Sequence, residues 1–234
     1  MIKLHKYNEL GGDNHGWLDT KHHFSFAGYH DPKKMSFGEL LVINDDIIAP
    51  YTGFDMHPHR DMEIITYVRT GAISHKDNRG NKGRTTAGNV QVMSAGTGIF
   101  HSEFNHEDEA TTIYQIWIMP RSKGIDPVWD TAEFPTEQAD GALSLLVSGD
   151  GQAPLQINQD ARIYASRLSS GAELVHKIKG QAYILVSDGN FEIGGVKSEK
   201  GDGLAISNES KVDIKATSDG EILIIEVPGI TKAR

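Results

Sequence analysis

At 234 residues, 38% hydrophobic and 24% charged, the chain has the length for one large or two modest domains and an ordinary globular composition. A formal charge of −9 with no basic run excludes direct nucleic-acid binding, which relies on clustered Lys and Arg, but leaves a protein partner open. With no cysteine there is neither a disulfide nor a thiolate site, and any metal must be held by nitrogen and oxygen.

Short apolar runs divided by turn residues, with 25 glycines, predict an all-β chain. In chain order the expected strands are Gly38–Ile43, Glu63–Arg69, Ile73–Lys76, Val90–Met93 and Thr112–Met119. Leu143–Val147, Arg162–Arg167, Glu173–Ile178, Tyr183–Val186 and Asn190–Ile193 follow. Leu204–Ile206, Val212–Lys215 and Ile222–Val227 complete the set. Turns are expected at Asn44-Asp45-Asp46, Asp77-Asn78-Arg79-Gly80, Ser187-Asp188-Gly189-Asn190 and Ser218-Asp219-Gly220. No segment keeps a 3.6-residue apolar period, so helices should be few and short. Pro120–Gln138, with three prolines, reads as a connector with room for one short helix. The N-terminus lacks the apolar core of a signal peptide, and no run approaches about 18 apolar residues; a cytoplasmic location without membrane contact is expected.

The halves look duplicated. Thr70-Gly71-Ala72-Ile73 parallels Asp188-Gly189-Asn190-Phe191, and Ala87-Gly88-Asn89-Val90 parallels Lys200-Gly201-Asp202-Gly203. Sliding without gaps from these anchors sets Val175 and Lys177 opposite His57 and His59, and Ile214 and Ala216 opposite His101 and Glu103. The expected units are residues 1–130, carrying a metal, and 131–234, without one.

Two stretches carry the chemistry: His57-Pro58-His59 with Glu63, and His101-Ser102-Glu103 with Asn105. Residues two apart on a strand share a face. Three imidazoles and a carboxylate converging from two strands suit a divalent transition metal, with positions left for substrate or oxygen. The plain alternative is a set of solvent-facing polar positions. By the same weighing His5, His30, His75 and His106 are expected at the surface, His176 falls out of phase, and His22 and His23 favour packing or surface roles over the pocket. Trp17 and Trp117 are expected in the core.

Gly53-x3-His57-x-His59-x3-Glu63-x7-Gly71 and Gly88-x7-Gly96-x4-His101-x3-Asn105 resemble the two cupin motifs. His57-Pro58-His59-Arg60-Asp61-Met62-Glu63 and Met93–Glu103 resemble the pirin family more closely. So do Asn14-His15-Gly16-Trp17-Leu18-Asp19, Phe24-Ser25-Phe26-Ala27 and Gln115-Ile116-Trp117-Ile118. The resemblance implies a bicupin, two jelly-roll-type β-barrels face to face, with iron(II) in the N-terminal barrel. It implies His57, His59, His101 and Glu103 as ligands, where generic cupins use the glutamate at position 63. Zinc, nickel, cobalt, manganese or copper also suit these ligand types. It further implies quercetin 2,3-dioxygenase activity, in which a flavonol and O2 react and carbon monoxide is released. On that reading a bound metal would acidify the flavonol hydroxyl, and Glu103 or Glu63 would take its proton. The alternative is a metal-dependent regulator that binds a transcription factor or enzyme partner.

Overall fold

The computed structural model describes residues 1–134 and 141–229. Among these residues the only helical segment is a 3-10 turn at Tyr7–Glu9, and four sheets account for the fold. No helix among them is long and apolar enough to cross a membrane.

In the first half a seven-stranded sheet runs Val128–Ala132, Val90–Ser94, Glu63–Thr70, Thr111–Ile118, Leu40–Ile48, Leu18–His22, Gly11–Asn14. A four-stranded sheet faces it, in the order Gly53–His59, Ile99–Phe104, Ala72–Asp77, Lys82–Thr86. The second half repeats the plan. Its large sheet runs Ile2–His5, Gly203–Ile206, Gln181–Asp188, Gly220–Val227, Arg162–Leu168, Ser144–Ser148, Leu155–Gln156. Its small sheet runs Glu173–Lys177, Lys211–Ala216, Asn190–Ile193, Val196–Glu199. This is the expected all-β bicupin of two jelly-roll barrels.

Burial patterns in the sequence follow from the layering. Lys211–Ala216 alternates exposed and buried residues, because one face of a small sheet meets water. Gly220–Val227 is almost continuously buried, because a large sheet is covered on both faces. One face of each large sheet lines its own barrel. The other packs against the partner sheet, where Ile43, Ile65, Tyr67, Tyr114 and Ile116 meet Leu146, Ile163, Tyr183, Leu185, Leu223 and Ile225. The two barrels therefore share one core.

The duplicated turns are real. Gly71 and Gly189 both take positive φ, 72° and 78°, where each chain turns back from a large-sheet strand. A Cβ there would lie 2.3 Å from Thr111 Oγ1 or 2.2 Å from Asp219 O, so neither place accepts a side chain.

Several local expectations need correction. Asn44-Asp45-Asp46 is no turn; it lies inside Leu40–Ile48, buried, with Asp45 ion-paired to Arg69. The connector from Pro120 carries a strand, Val128–Ala132, paired with Val90–Ser94; its last residues, 135–138, fall outside the described ones. The gapless correspondence fails by one residue at Glu173–Lys177. Val175 is 59% exposed while Leu174 and His176 are buried, and Leu174 pairs with Ile214 as His57 pairs with His101. The connection from His176 to Gln181 is one residue longer than that from His59 to Glu63, and one residue reverses strand parity. His176 thus occupies the place of His59.

Candidate metal centre

The Gly53–His59 and Ile99–Phe104 strands pair antiparallel, with His57 opposite His101 and Ile99 opposite His59. Alternation turns Phe100 and Ser102 outward and buries His101 and Glu103. A bulge puts one extra residue in the first strand between His57 and Phe54, which bends it around the site. One nitrogen from each of His57, His59 and His101 falls within 4.8 Å of the others.

The rings are prepared as ligands. His57 Nδ1 lies 2.6 Å from the Asp55 carbonyl oxygen, to which only a protonated nitrogen can donate, so its Nε2 carries the free lone pair. His101 Nε2 is buried without a partner. Burial and the neighbouring imidazoles push His59 down to about 4 and His101 to about 3, which keeps both rings neutral near pH 7. An orphaned nitrogen beside two more in a thiolate-free cluster fits a divalent transition metal.

Glu103 stands outside the tight histidine group and is 2% exposed. Its Oε1 accepts from Gln91 Nε2 (2.5 Å) and Thr66 Oγ1 (3.0 Å), and Oε2 from Gln115 Nε2 (2.9 Å). A carboxylate offers about four lone-pair positions, so one remains for a metal.

Glu63 is not brought to this site. It begins a different strand after a reversal at Arg60-Asp61-Met62, and the parity shared with His57 and His59 does not survive that turn. It is fully buried, facing the second half: Oε2 accepts from Ser94 Oγ (2.5 Å) and the Asn158 backbone N–H (3.0 Å). Burial raises its pKa despite those bonds. Ile64 faces the cavity in its place. Asn105 is structural, its amide nitrogen donating to the Ile48, Ala49 and Glu109 carbonyls.

A cavity of about 570 Å³ opens onto His57 and His59, within the range of small-molecule sites. Phe26, Phe54, Trp117, Leu18 and Ile64 give it apolar walls. Trp117, expected in the core, stands edge-on to His59 at 5.0 Å and to Phe26 at 5.4 Å. Trp17 packs edge-on against Phe54 at 5.1 Å. Part of the wall is polar: His22, bonded to Asn44 at 2.8 Å, and Asp46.

Asp46 was missed because it reads as a turn residue. It is 2% exposed, with Oδ1 unpartnered, and burial pushes it up to about 7, against the pull of the Thr20 hydroxyl. A pair of acids after a buried apolar run is the signal that marks it. His5 and His75, expected outside, are 6% and 3% exposed; His30 and His106 are at the surface. His23 is fully buried, and its Nδ1 and that of His5 lie 3.0 and 3.1 Å from Tyr183 Oη of the second half.

A family model described as Pirin matches residues 3–118, and one described as Quercetinase C-terminal cupin domain matches residues 145–227. A pirin-like protein of Caulobacter vibrioides is 48% identical over 230 residues, covering 97% of this chain and 99% of that one. A quercetin 2,3-dioxygenase of Escherichia coli is 46% identical over 234 residues, covering 98% and 100%. The crystal structure of the bacterial pirin YhhW from Escherichia coli in complex with nickel(II) superimposes with a TM-score of 0.92 at 46% identity, covering 98% and 100%. With relatives this similar along its whole length and a matching fold, the chain belongs to the pirin family.

Proposed function

We propose that this protein is a metal-dependent dioxygenase that cleaves flavonols such as quercetin with O2 in its first barrel, which takes most of residues 1–130 and the rest of the Val128–Ala132 strand, while most of residues 131–234, completed by the Ile2–His5 strand, form a metal-free second barrel. The observation that carries this reading is the aromatic-walled cavity that opens onto His57 and His59, two of three convergent histidines. His57, His59, His101 and Glu103 would hold one divalent metal, iron(II) by preference. Nickel in a relative supports the broader class of metal. When bound, the metal supplies Lewis acidity that lowers the pKa of a substrate hydroxyl.

The remaining work falls to the chain's own side chains. Phe26, Phe54 and Trp117 offer flat apolar surface to a planar ring system beside His57 and His59. Asp46, whose pKa burial raises to about 7, and Glu103 are buried carboxyls on the cavity wall that can take the hydroxyl proton. Glu63 serves as base only through a path that its burial against Asn158 disfavours.

Anaerobic reconstitution with iron, nickel, cobalt, manganese or copper, followed by oxygen uptake with quercetin, tests the reading. Quercetin-dependent uptake with at least one metal is expected, falling about 10²-fold or more in Asp46→Asn if Asp46 is the base. Absence of uptake with every metal sinks the enzyme and favours the regulatory protein that binds a transcription factor or enzyme partner.

A further inference from the structure

His101 is backed by two residues outside the histidine cluster. His75 and Asp77 lie two apart on the Ala72–Asp77 strand, opposite Glu103 and His101 respectively. Both side chains are 0% exposed. His75 Nε2 is 3.2 Å from Asp77 Oδ2, and His75 Nδ1 is 3.4 Å from His101 Nδ1.

With both imidazoles neutral, the hydrogens along this relay have one consistent placement. Three further donors converge on Asp77: the Arg79 and Asn81 backbone N–H groups on Oδ1, at 2.9 and 3.0 Å, and Asn81 Nδ2 on Oδ2, at 2.8 Å. A carboxylate so surrounded only accepts, so the proton between it and His75 sits on His75 Nε2. A neutral imidazole protonated there has its lone pair at Nδ1, which then accepts from His101 Nδ1–H. That leaves the lone pair of His101 on Nε2, the buried nitrogen with no partner.

We infer that Asp77 and His75 are positioning residues that fix His101 in the tautomer able to bind a metal through Nε2. The inference rests on the metal reading of the histidine cluster. The 3.4 Å contact is long for a hydrogen bond, so its effect is selection between tautomers more than added strength. Trp129 stabilises the arrangement. Its ring stacks on His75 at 4.8 Å and 11°, and its Nε1 donates to Gln91 Oε1, whose amide nitrogen in turn holds Glu103. His57 reaches the same end by a simpler route, through the Asp55 carbonyl.

Nitrogen-15 NMR of the metal-free protein at mildly alkaline pH reads the tautomers directly. His101 should be protonated at Nδ1 and His75 at Nε2. In Asp77→Asn the backbone donors at Arg79 and Asn81 keep the amide oxygen, leaving its NH2 to face His75. Both tautomers should then invert, and nickel(II) affinity measured by calorimetry should fall about 10–100-fold. His75→Phe, which keeps the stack on Trp129, should lose affinity to a similar degree with its metal-free melting temperature little changed. His101 protonated at Nε2 in the native chain would overturn the relay. So would inverted tautomers in Asp77→Asn with nickel affinity within about twofold of the native protein. No nickel uptake by the native chain would instead overturn the metal reading, and the tautomer spectrum would still decide the relay.

Discussion

The two barrels share a strand order, yet their interiors differ. Inside the second, fourteen buried apolar residues from Leu168 to Ile224 form one continuous cluster. Inside the first, the apolar residues split into a group of five around Ile48, Val68 and Ile113 and a group of four around Ile64 and Met93. The space between holds His101, Glu103, Gln91, Gln115 and Thr66. The same topology thus supports a packed core in one half and a polar, ligand-ready pocket in the other. The register positions of His57, His59, His101 and Glu103 carry Leu174, His176, Ile214 and Ala216 in the second half. His176, the one retained imidazole, is spent on Glu226 at 3.0 Å. A first barrel with less apolar burial depends on the second through the shared seam.

The sharpest way to break this comparison is to count metals. Elemental analysis should give one divalent ion per chain, falling to near zero in His59→Ala; two ions per chain would place a site in the second barrel as well. Next in size is Glu103→Gln, which removes a proposed ligand and a proton acceptor. Turnover of quercetin should fall about 10²–10⁴-fold, with weaker metal binding beside it. A change confined to the second barrel should act on stability alone. Ile214→Ala opens a cavity in its continuous core and should cost about 2–5 kcal/mol by urea unfolding, while metal stoichiometry stays at one.

Acid should attack the seam. Burial pushes His5 down to about 4 and His23 to about 3, both beside Tyr183. Unfolded imidazoles titrate near 6.5, so below that pH the unfolded chain binds protons that the folded chain refuses. Stability from these groups is complete above about pH 6.5 and declines as the pH falls toward about 4. His59 and His101 are lowered over the same window, so urea midpoints of the metal-free protein recorded against pH should trace the decline of all four; midpoints flat across the window would show that the folded protein takes up these protons as readily as the unfolded one. The smallest effect is expected from Glu63→Gln. Because Glu63 faces Asn158 and not the cavity, turnover should stay within about threefold. A loss comparable to that of Glu103→Gln would restore Glu63 to the reaction.

What the sequence determined is what depends on neighbours along one strand or one turn. His57 with His59, and His101 with Glu103, share faces because alternation is local. Gly71 and Gly189 mark reversals because only glycine fits a positive φ that close to a neighbouring chain. His75 and Asp77 carry the same alternation, yet the sequence put His75 at the surface and Asp77 in a turn, because nothing along one strand shows the partner behind it. The rest was decided by the tertiary structure. One additional residue between His176 and Gln181 reversed the parity of a whole strand, and a turn after His59 sent Glu63 to the other side of the sheet. Asp46 became a cavity wall because two sheets closed over it and raised its pKa, a cost of burial that no stretch of chain experiences alone. Each of these depends on which strands meet, and strand pairing is a relation between distant segments.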